Sequence, residues 1–172
     1  MLPKILKNFN IIIDGIGMVG LAEEVVLPVL ERDTEEFRGG GMLGPVELDL
    51  GMNAMKMEAT IIENSPNIIK AFGLADASGV QTRFLGAQQA DDSSNSVTAI
   101  EVSVRGRWKK IDMGTVKGGD LAKMKIELPI TYYKYTANGE VLVEIDLVNG
   151  KEVIGGVDRQ QGIMQALGIT GS

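Results

Sequence analysis

The sequence predicts a mainly β fold of antiparallel strands, arranged as a β-sandwich or small barrel with one packed α-helix. Three observations indicate this class. Glycine is frequent, with 22 residues in a chain of 172, whereas only 5 % of the residues are aromatic. Apolar and polar residues alternate with a period of two over several segments, and turn signals separate these segments. This length suits one domain, which we place at residues 1–172.

The N-terminal region is predicted to form two strands. The first covers residues 9–13 and ends at Asp14-Gly15, a pair typical of hairpin turns. The second covers residues 22–33, where Pro28 indicates an edge, a bulge or a break because proline donates no ladder hydrogen bond. The glycine-rich residues 34–44 then form a loop, and a further extended segment follows it.

One segment, residues 64–76, has the features of a helix. Ser65 is a favourable N-cap, Pro66 suits the first helical position, and Gly73 is a natural stop. The apolar stripe of this helix is Ile68, Ile69 and Phe72.

The C-terminal half is predicted to consist of strands and a short tail. Two antiparallel strands lie in VQTRFLGAQQ and SVTAIEVSVRGRWKKIDM, and Asn138-Gly139 is the turn of a long hairpin. The tail at residues 157–168 is predicted to form a short helix with Asp158 as its N-cap.

Three of these strands have one apolar and one polar face, as in a sheet that packs on one side. They cover residues 54–62, 98–110 and 122–133. The polar face is either the solvated outside of a monomeric sandwich or the inner wall of a larger closed barrel. Alternation alone does not separate these two interpretations.

Composition restricts the chemistry. The chain has no cysteine and no histidine, so disulfides, thiol nucleophiles and a Ser-His-Asp triad are excluded. The net charge of −6 argues against a surface that binds nucleic acid, although not against a passage through which DNA slides. We expect no metal site, no cofactor and no enzymatic activity.

The triple glycine at residues 39–41 is not a phosphate-binding loop. A P-loop ends in Gly-Lys-Ser/Thr and leads into a helix, whereas Met42 and Leu43 follow here, and then Pro45 and a strand.

The order of these features resembles the major tail tube proteins of contractile-tailed bacteriophages and of R-type pyocins, which are headless tails. The resemblance covers nearly the whole chain. It is carried by LPKILKNFNIIIDG, VVLPVL, EEFRGGGMLGPVELDLGM, FGLAD, VSVRGRWKKIDMG, ITYYKYTANGEVLVEIDLVNG and GVDRQQGIMQALG, in this order.

The resemblance implies that six copies form a ring, that rings stack into a tube, and that strands of all copies join into one large β-barrel around a lumen that conducts DNA. The polar strand faces then become candidates for the lumen: Lys56, Glu58, Thr60, Glu101, Ser103, Arg105, Arg107, Lys123, Lys125 and Glu127. Residues 34–44 become an assembly loop that contacts another copy through Arg38, Gly39, Gly40, Gly41, Met42 and Leu43.

The implied partners are other copies of the chain, the tail sheath protein, the baseplate initiator, the tape-measure protein and the tail terminator. DNA is in contact only in transit. We expect no membrane insertion, because no apolar run is long enough to span a bilayer. The implied location is the virion tail tube, assembled in the cytoplasm of the bacterial host.

Two other functions stay open on the sequence alone. One is the tube protein of a type VI-like secretion machine, which would carry effectors instead of DNA. The other is a monomeric β-sandwich that binds a ligand, which would need a concave site that usually contains aromatic residues.

Overall fold

A computed structural model describes residues 2–169 and confirms the mainly β, antiparallel fold. The predicted domain limits, residues 1 and 172, lie outside the described residues. The strands and helices, in chain order, are β1 Lys4–Ile13, β2 Ile16–Gly17, β3 Ala22–Val26, β4 Arg32–Phe37, β5 Val46–Met52, β6 Met55–Ile61, α1 Pro66–Ala71, β7 Val80–Ala90, β8 Val97–Gly106, β9 Lys110–Asp112, β10 Met124–Ala137, β11 Glu140–Asp146, β12 Lys151–Ile154, β13 Val157–Asp158 and α2 Gln161–Ala166.

The largest sheet is organised around β10, its longest strand. The main path of the sheet is β13-β12-β11-β10-β8-β7-β1-β2. The first half of β10 lies between β6 and β9, and the second half lies between β11 and β8. The connection from β8 to β9 stays on one side of β10, since the backbone N–H of Lys109 donates to the Glu127 carbonyl at 3.0 Å. β6 and β11 are therefore both on the opposite side of β10.

The core lies on the inner face of this sheet, as the alternation predicted. Met55, Met57, Ala59 and Ile61 of β6 are buried, and so are the alternate apolar residues of β8 and β10. Both predicted hairpin turns are present, and their first residues, Asp14 and Asn138, have positive φ angles as type I′ turns require.

The second predicted strand, over residues 22–33, is broken. β3 ends at Val26, Pro28 lies in the connection, and β4 begins at Arg32. The predicted loop at residues 34–44 is also shorter than expected, because residues 34–37 belong to β4 and pair with β5. β4 and β5 form a separate two-stranded sheet with the loop 38–45 at its tip. We call this hairpin, residues 32–52, the arm.

The helices differ in detail from their predictions. α1 starts at Pro66 with Ser65 in the N-cap position, but the Ser65 side chain makes no capping hydrogen bond. Phe72 is half exposed because it is the C-cap, and Ala71 is buried next to Ile68 instead. In the tail, Val157–Asp158 pairs with β12 as a strand, so the helix starts later, with Gln160 as its N-cap and not Asp158.

Candidate tube wall and assembly arm

Four strand segments form a continuous polar surface, which we call the wall: β3, β6, the first half of β10, and β9. One rung crosses all four segments, from Val26 to Glu58, Glu127 and Lys110. β3 pairs only with β6, and β9 pairs only with β10, among the described residues. The wall therefore ends in an unpaired strand edge on each side.

The polar face of the wall is concave and carries both signs of charge. It contains a depression of about 200 Å³. The lining includes Glu24, Val26, Glu58, Thr60, Lys110, Asp112, Lys125 and Glu127. Five of the predicted lumen residues are therefore together on this face: Lys56, Glu58, Thr60, Lys125 and Glu127.

Ion pairs neutralise much of the charge at the centre of the wall. The Lys56 ammonium lies 3.2 Å from the Glu58 carboxylate and 3.8 Å from that of Glu127. The hydrogen bond to Glu58, with the negative charge of Glu127, raises the pKa of Lys56. Lys109 approaches the same Glu127 carboxylate at 3.9 Å. Since Glu58 and Glu127 are directly opposite in the ladder, these lysines also offset the repulsion between two carboxylates.

A second group of predicted lumen residues lies on β8, beside the second half of β10. Arg83 donates to Glu101 at 2.9 Å, and this hydrogen bond lowers the pKa of Glu101. Ser103 also donates to Glu101, and the Arg105 guanidinium stacks 4.1 Å from the centre of the Tyr132 ring. This group is on the polar surface of the sheet but outside the four-stranded wall.

Two predicted lumen residues are engaged elsewhere. Arg107 donates to the backbone carbonyl of Ala75, in the segment after α1, at 2.8 Å. Lys123 precedes β10 and forms an ion pair at 3.0 Å with Glu23 of β3.

Residues Lys110 and Asp112 are wall residues that the sequence pattern missed. Alternation along residues 98–110 assigns even positions to the apolar face, but Lys110 is exposed and Ile111 packs against the core. The alternation holds through Trp108, which is buried, and changes phase at Lys109 and Lys110. Both residues oppose Glu127, since the Lys109 N–H donates to the Glu127 carbonyl and Lys110 pairs with Glu127 in the ladder. The signal was the adjacent pair Lys109-Lys110, in which two polar residues in a row break the alternation, as at a β-bulge.

The arm has one apolar and one acidic face. Phe37 pairs with Val46, and Leu48 and Leu50 continue this face at alternate positions; all four side chains are exposed. On the other face, Glu36 stands directly opposite Glu47, and Thr34 opposite Asp49. The facing carboxylates of Glu36 and Glu47 repel each other. An isolated two-stranded hairpin is at best marginally stable in water. The apolar side chains of the arm stay exposed within the described residues, so packing on this face does not stabilise the hairpin.

The tip of the arm holds the predicted assembly residues. Met42 turns back, with its backbone N–H donating to the Gly39 carbonyl at 3.3 Å and its Sδ accepting from the Gly39 N–H. Gly41 has a positive φ of 84°, which favours glycine at this turn. Leu43 projects fully into solvent, while Arg38 forms no ion pair within the described residues.

An ion pair attaches the root of the arm to the rest of the chain, which consists of the large sheet and the two helices and which we call the body. Glu152 on β12 is buried, and its carboxylate accepts from Arg32 of β4 and, at 3.0 Å, from the Gln160 side chain. Arg32 also lies 3.5 Å from Asp49 of β5. This group, which we call the clasp, connects both strands of the arm to β12. Sequence reasoning missed it because Arg32 and Glu152 are 120 positions apart in the chain.

Residues 2–169 contain no group of three or more acidic side chains placed to hold a metal ion. In the same residues, neither helix has the length and apolarity that crossing a bilayer requires.

Comparison with known proteins identifies the family. The sequence profile of the phage tail tube protein FII family matches residues 3–168. The chain is 37 % identical to the tail tube protein of Escherichia phage P2 over 171 residues, covering 98 % of this chain and 99 % of the relative. It is 34 % identical to the major tail tube protein of Serratia phage KSP20 over 148 residues, covering 86 % and 85 %.

Solved structures show the same fold. A chain from the sheath/tube terminator of an extracellular contractile injection system in the extended state aligns with a TM-score of 0.58 at 12 % identity, covering 79 % of this chain and 98 % of that one. A chain of the sheath–tube complex of the same kind of system aligns with a TM-score of 0.57 at 12 % identity, covering 78 % and 92 %. The family match over residues 3–168 and the two relatives show that the chain belongs to the phage tail tube protein FII family, as a structural subunit of a contractile tail tube.

Proposed function

We propose that six copies of this chain form a ring, that rings stack into the inner tube of a contractile tail, and that the lumen of this tube conducts DNA during ejection. The observation that carries the proposal is the wall: a concave, polar, four-stranded surface with an unpaired edge on each side. Such a surface in a single copy leaves backbone groups of β3 and β9 without ladder partners.

Closure of the ring gives hydrogen-bond partners to the backbone groups of these strand edges. If the β9 edge of one copy meets the β3 edge of the next, the walls join into one barrel without free edges, which removes the tendency to non-specific edge pairing. Opposite edges that meet in this way form a head-to-tail contact, which generates a ring when the rotation closes.

The charges of the wall suit a bore through which DNA moves without binding. Proteins hold DNA mainly by neutralising phosphates with free Lys and Arg side chains. Here Lys56 and Lys109 already have carboxylate partners on the same wall, so their charge is offset before DNA arrives. A mixed, paired surface attracts phosphates less than a cationic one does.

The arm and the partners complete the proposal. The arm, with Arg38, Gly39, Gly40, Gly41, Met42 and Leu43 at its tip, contacts another copy of the chain. The sheath protein and the tail terminator bind the outside and the end of the tube, and the fold likeness to chains of sheath–tube and terminator assemblies supports both partners. The tape-measure protein and the baseplate initiator act in assembly, which takes place in the host cytoplasm.

Electron microscopy of the purified protein tests the ring and the tube. We expect six-fold rings or stacked tubes with an open lumen, alone or after addition of the baseplate initiator. A strictly monomeric protein under both conditions would contradict the proposal.

Cysteine labelling tests the lumen. Since the chain has no native cysteine, Thr60→Cys introduces a single thiol on the wall. In assembled tubes this thiol should react with a small maleimide but not with a bulky polyethylene-glycol maleimide, whereas the unassembled subunit should react with both. Equal reaction of assembled tubes with the bulky reagent would place this face outside the lumen.

A further inference from the structure

Two segments of the chain have opposite excesses of charge. Residues 31–49, which include most of the arm, contain six carboxylates and two arginines, a formal charge of −4. Residues 107–125, which include β9 and the loop between β9 and β10, contain six lysines and arginines and two aspartates, a formal charge of +4. We call this second segment the basic segment.

The arm and the β9 part of the basic segment are at opposite sides of the wall. The arm follows β3, which is one edge strand, and the clasp holds its root beside β12 on that same side of β10. The basic segment contains β9, the other edge strand. One copy therefore cannot be expected to close its own arm on its own basic segment, whereas neighbours in a head-to-tail ring bring the two together.

Both segments also have apolar side chains that are exposed within residues 2–169. On the arm these are Phe37, Leu43, Val46 and Leu48, and in the basic segment they are Met113, Val116 and Leu121. Among the described residues, Glu36 and Glu47 form no ion pair, and neither do Lys110 and Lys117. Each surface thus has exposed apolar area. The arm adds carboxylates without an ion-pair partner among the described residues, and the basic segment adds lysines without one.

We propose that the arm of one copy docks on the basic segment of the adjacent copy, with its carboxylates against the lysines of that segment. This inference rests on the proposed ring and names the surfaces that join its copies. Complementary charge fixes which edges meet and suppresses contact between like edges, and the exposed apolar side chains add burial. The repulsion between Glu36 and Glu47 in the isolated arm is relieved when lysines of the neighbour approach them.

Charge reversal tests the contact. We expect Glu36→Lys with Glu47→Lys to raise the protein concentration needed for assembly at least about tenfold, because like charges then face each other across each contact. Lys110→Glu with Lys117→Glu should do the same. Thermal unfolding of the unassembled subunits should be nearly unchanged, since all four side chains are exposed. A control for the arm variant, Glu63→Lys with Glu140→Lys, makes the same change in net charge on exposed positions elsewhere and should assemble like the unmodified chain.

Mixing the two reversed proteins is the decisive step. In an equimolar mixture, the cationic arm of one variant meets the acidic segment of the other, and the unmodified arm of the second meets the unmodified segment of the first. Assembly should therefore return in the mixture, measured by sedimentation and negative-stain microscopy, in alternating rings of even number. Normal assembly of either variant alone, or no recovery in the mixture, would overturn the docking. If the unmodified chain itself forms no rings, the proposed function fails instead.

Discussion

The body and the arm have the same alternating pattern of apolar and polar residues, but the apolar face is buried in the body and exposed in the arm. In the body, the apolar faces of β6, β8 and β10 meet one another and are buried. In the arm, the apolar face of β5 is exposed within the described residues. The comparison teaches that alternation shows which face of a strand is apolar, but not whether the same chain buries that face. In the proposed tube, another copy covers the exposed face of the arm.

Truncating one leucine in each region should show the largest difference. Leu128 of β10 is 1 % exposed and Leu48 of the arm is 47 % exposed. Leu128→Ala should lower the free energy of unfolding by about 2–5 kcal/mol, through lost burial and a cavity. Leu48→Ala should change it by less than about 0.5 kcal/mol. Chemical denaturation of unassembled subunits measures both, and similar losses would mean that the arm is already packed in the single copy.

Glycine substitution separates the regions again. A Cβ at Gly106 would collide with the Pro129 carbonyl, whereas one at Gly40 would meet nothing within 4 Å. Gly106→Ala should therefore cost about 1–3 kcal/mol of stability. Gly40→Val should leave the melting temperature of the subunit nearly unchanged and weaken assembly, because the tip approaches another copy in the proposed tube. Normal polymerisation of Gly40→Val would mean that the tip only connects β4 and β5 and takes no part in assembly.

The clasp joins the two regions, so its loss should affect both stability and assembly. Glu152→Ala leaves the donors of Arg32 and Gln160 without their buried acceptor and should cost about 1–3 kcal/mol. As a control, Glu144→Ala removes an ion pair with Lys151 that is more exposed, and should cost less than about 1 kcal/mol. We expect Glu152→Ala, but not Glu144→Ala, to reduce the yield of tubes at a temperature where both subunits are folded.

The smallest effect concerns the polar surface of the body and depends on pH. Arg83 lowers the pKa of Glu101, so this pair stabilises the fold at a pH above the pKa of the unfolded glutamate, and the contribution is lost as the pH falls through the lower pKa of the folded state. Arg83→Gln should cost about 0.5 kcal/mol at neutral pH, since the pair is partly exposed. The difference from the unmodified chain should vanish in acid, and a difference that grows in acid would contradict this account.

Much of the body could be predicted because its signals are local. Asn138-Gly139 requires a turn, Pro66 starts a helix, and the alternation over residues 54–62 and 122–133 assigns the buried face of β6 and β10 correctly. The structure differs from the prediction where a local sequence signal is compatible with more than one backbone structure. Pro28 indicated an edge, a bulge or a break, and the structure has the break. The doubled residues Lys109 and Lys110 shifted the alternation so that Lys110 and Asp112 reached the wall.

The candidate site was predicted less completely than the fold. The sequence placed ten residues on polar faces, but strand pairing decides which faces adjoin. Five of them share the wall, three lie beside β7, and Arg107 and Lys123 are engaged with other segments. The clasp and the opposite positions of arm and basic segment depend on contacts between distant residues, which no pattern within a single segment contains.

By itself, the sequence determined the fold class, the turns, the buried faces of the main strands and, through its resemblance to tail tube proteins, the family. The glycine-rich stretch at residues 34–44 shows what the tertiary structure alone decided. Its first residues belong to a strand, its tip projects beyond the body, and its root is held by a buried carboxylate 120 positions away. The reason is physical: alternation and turn preferences act within a few residues, whereas the pairing of edges and the placement of charge are set by the packing of the whole chain.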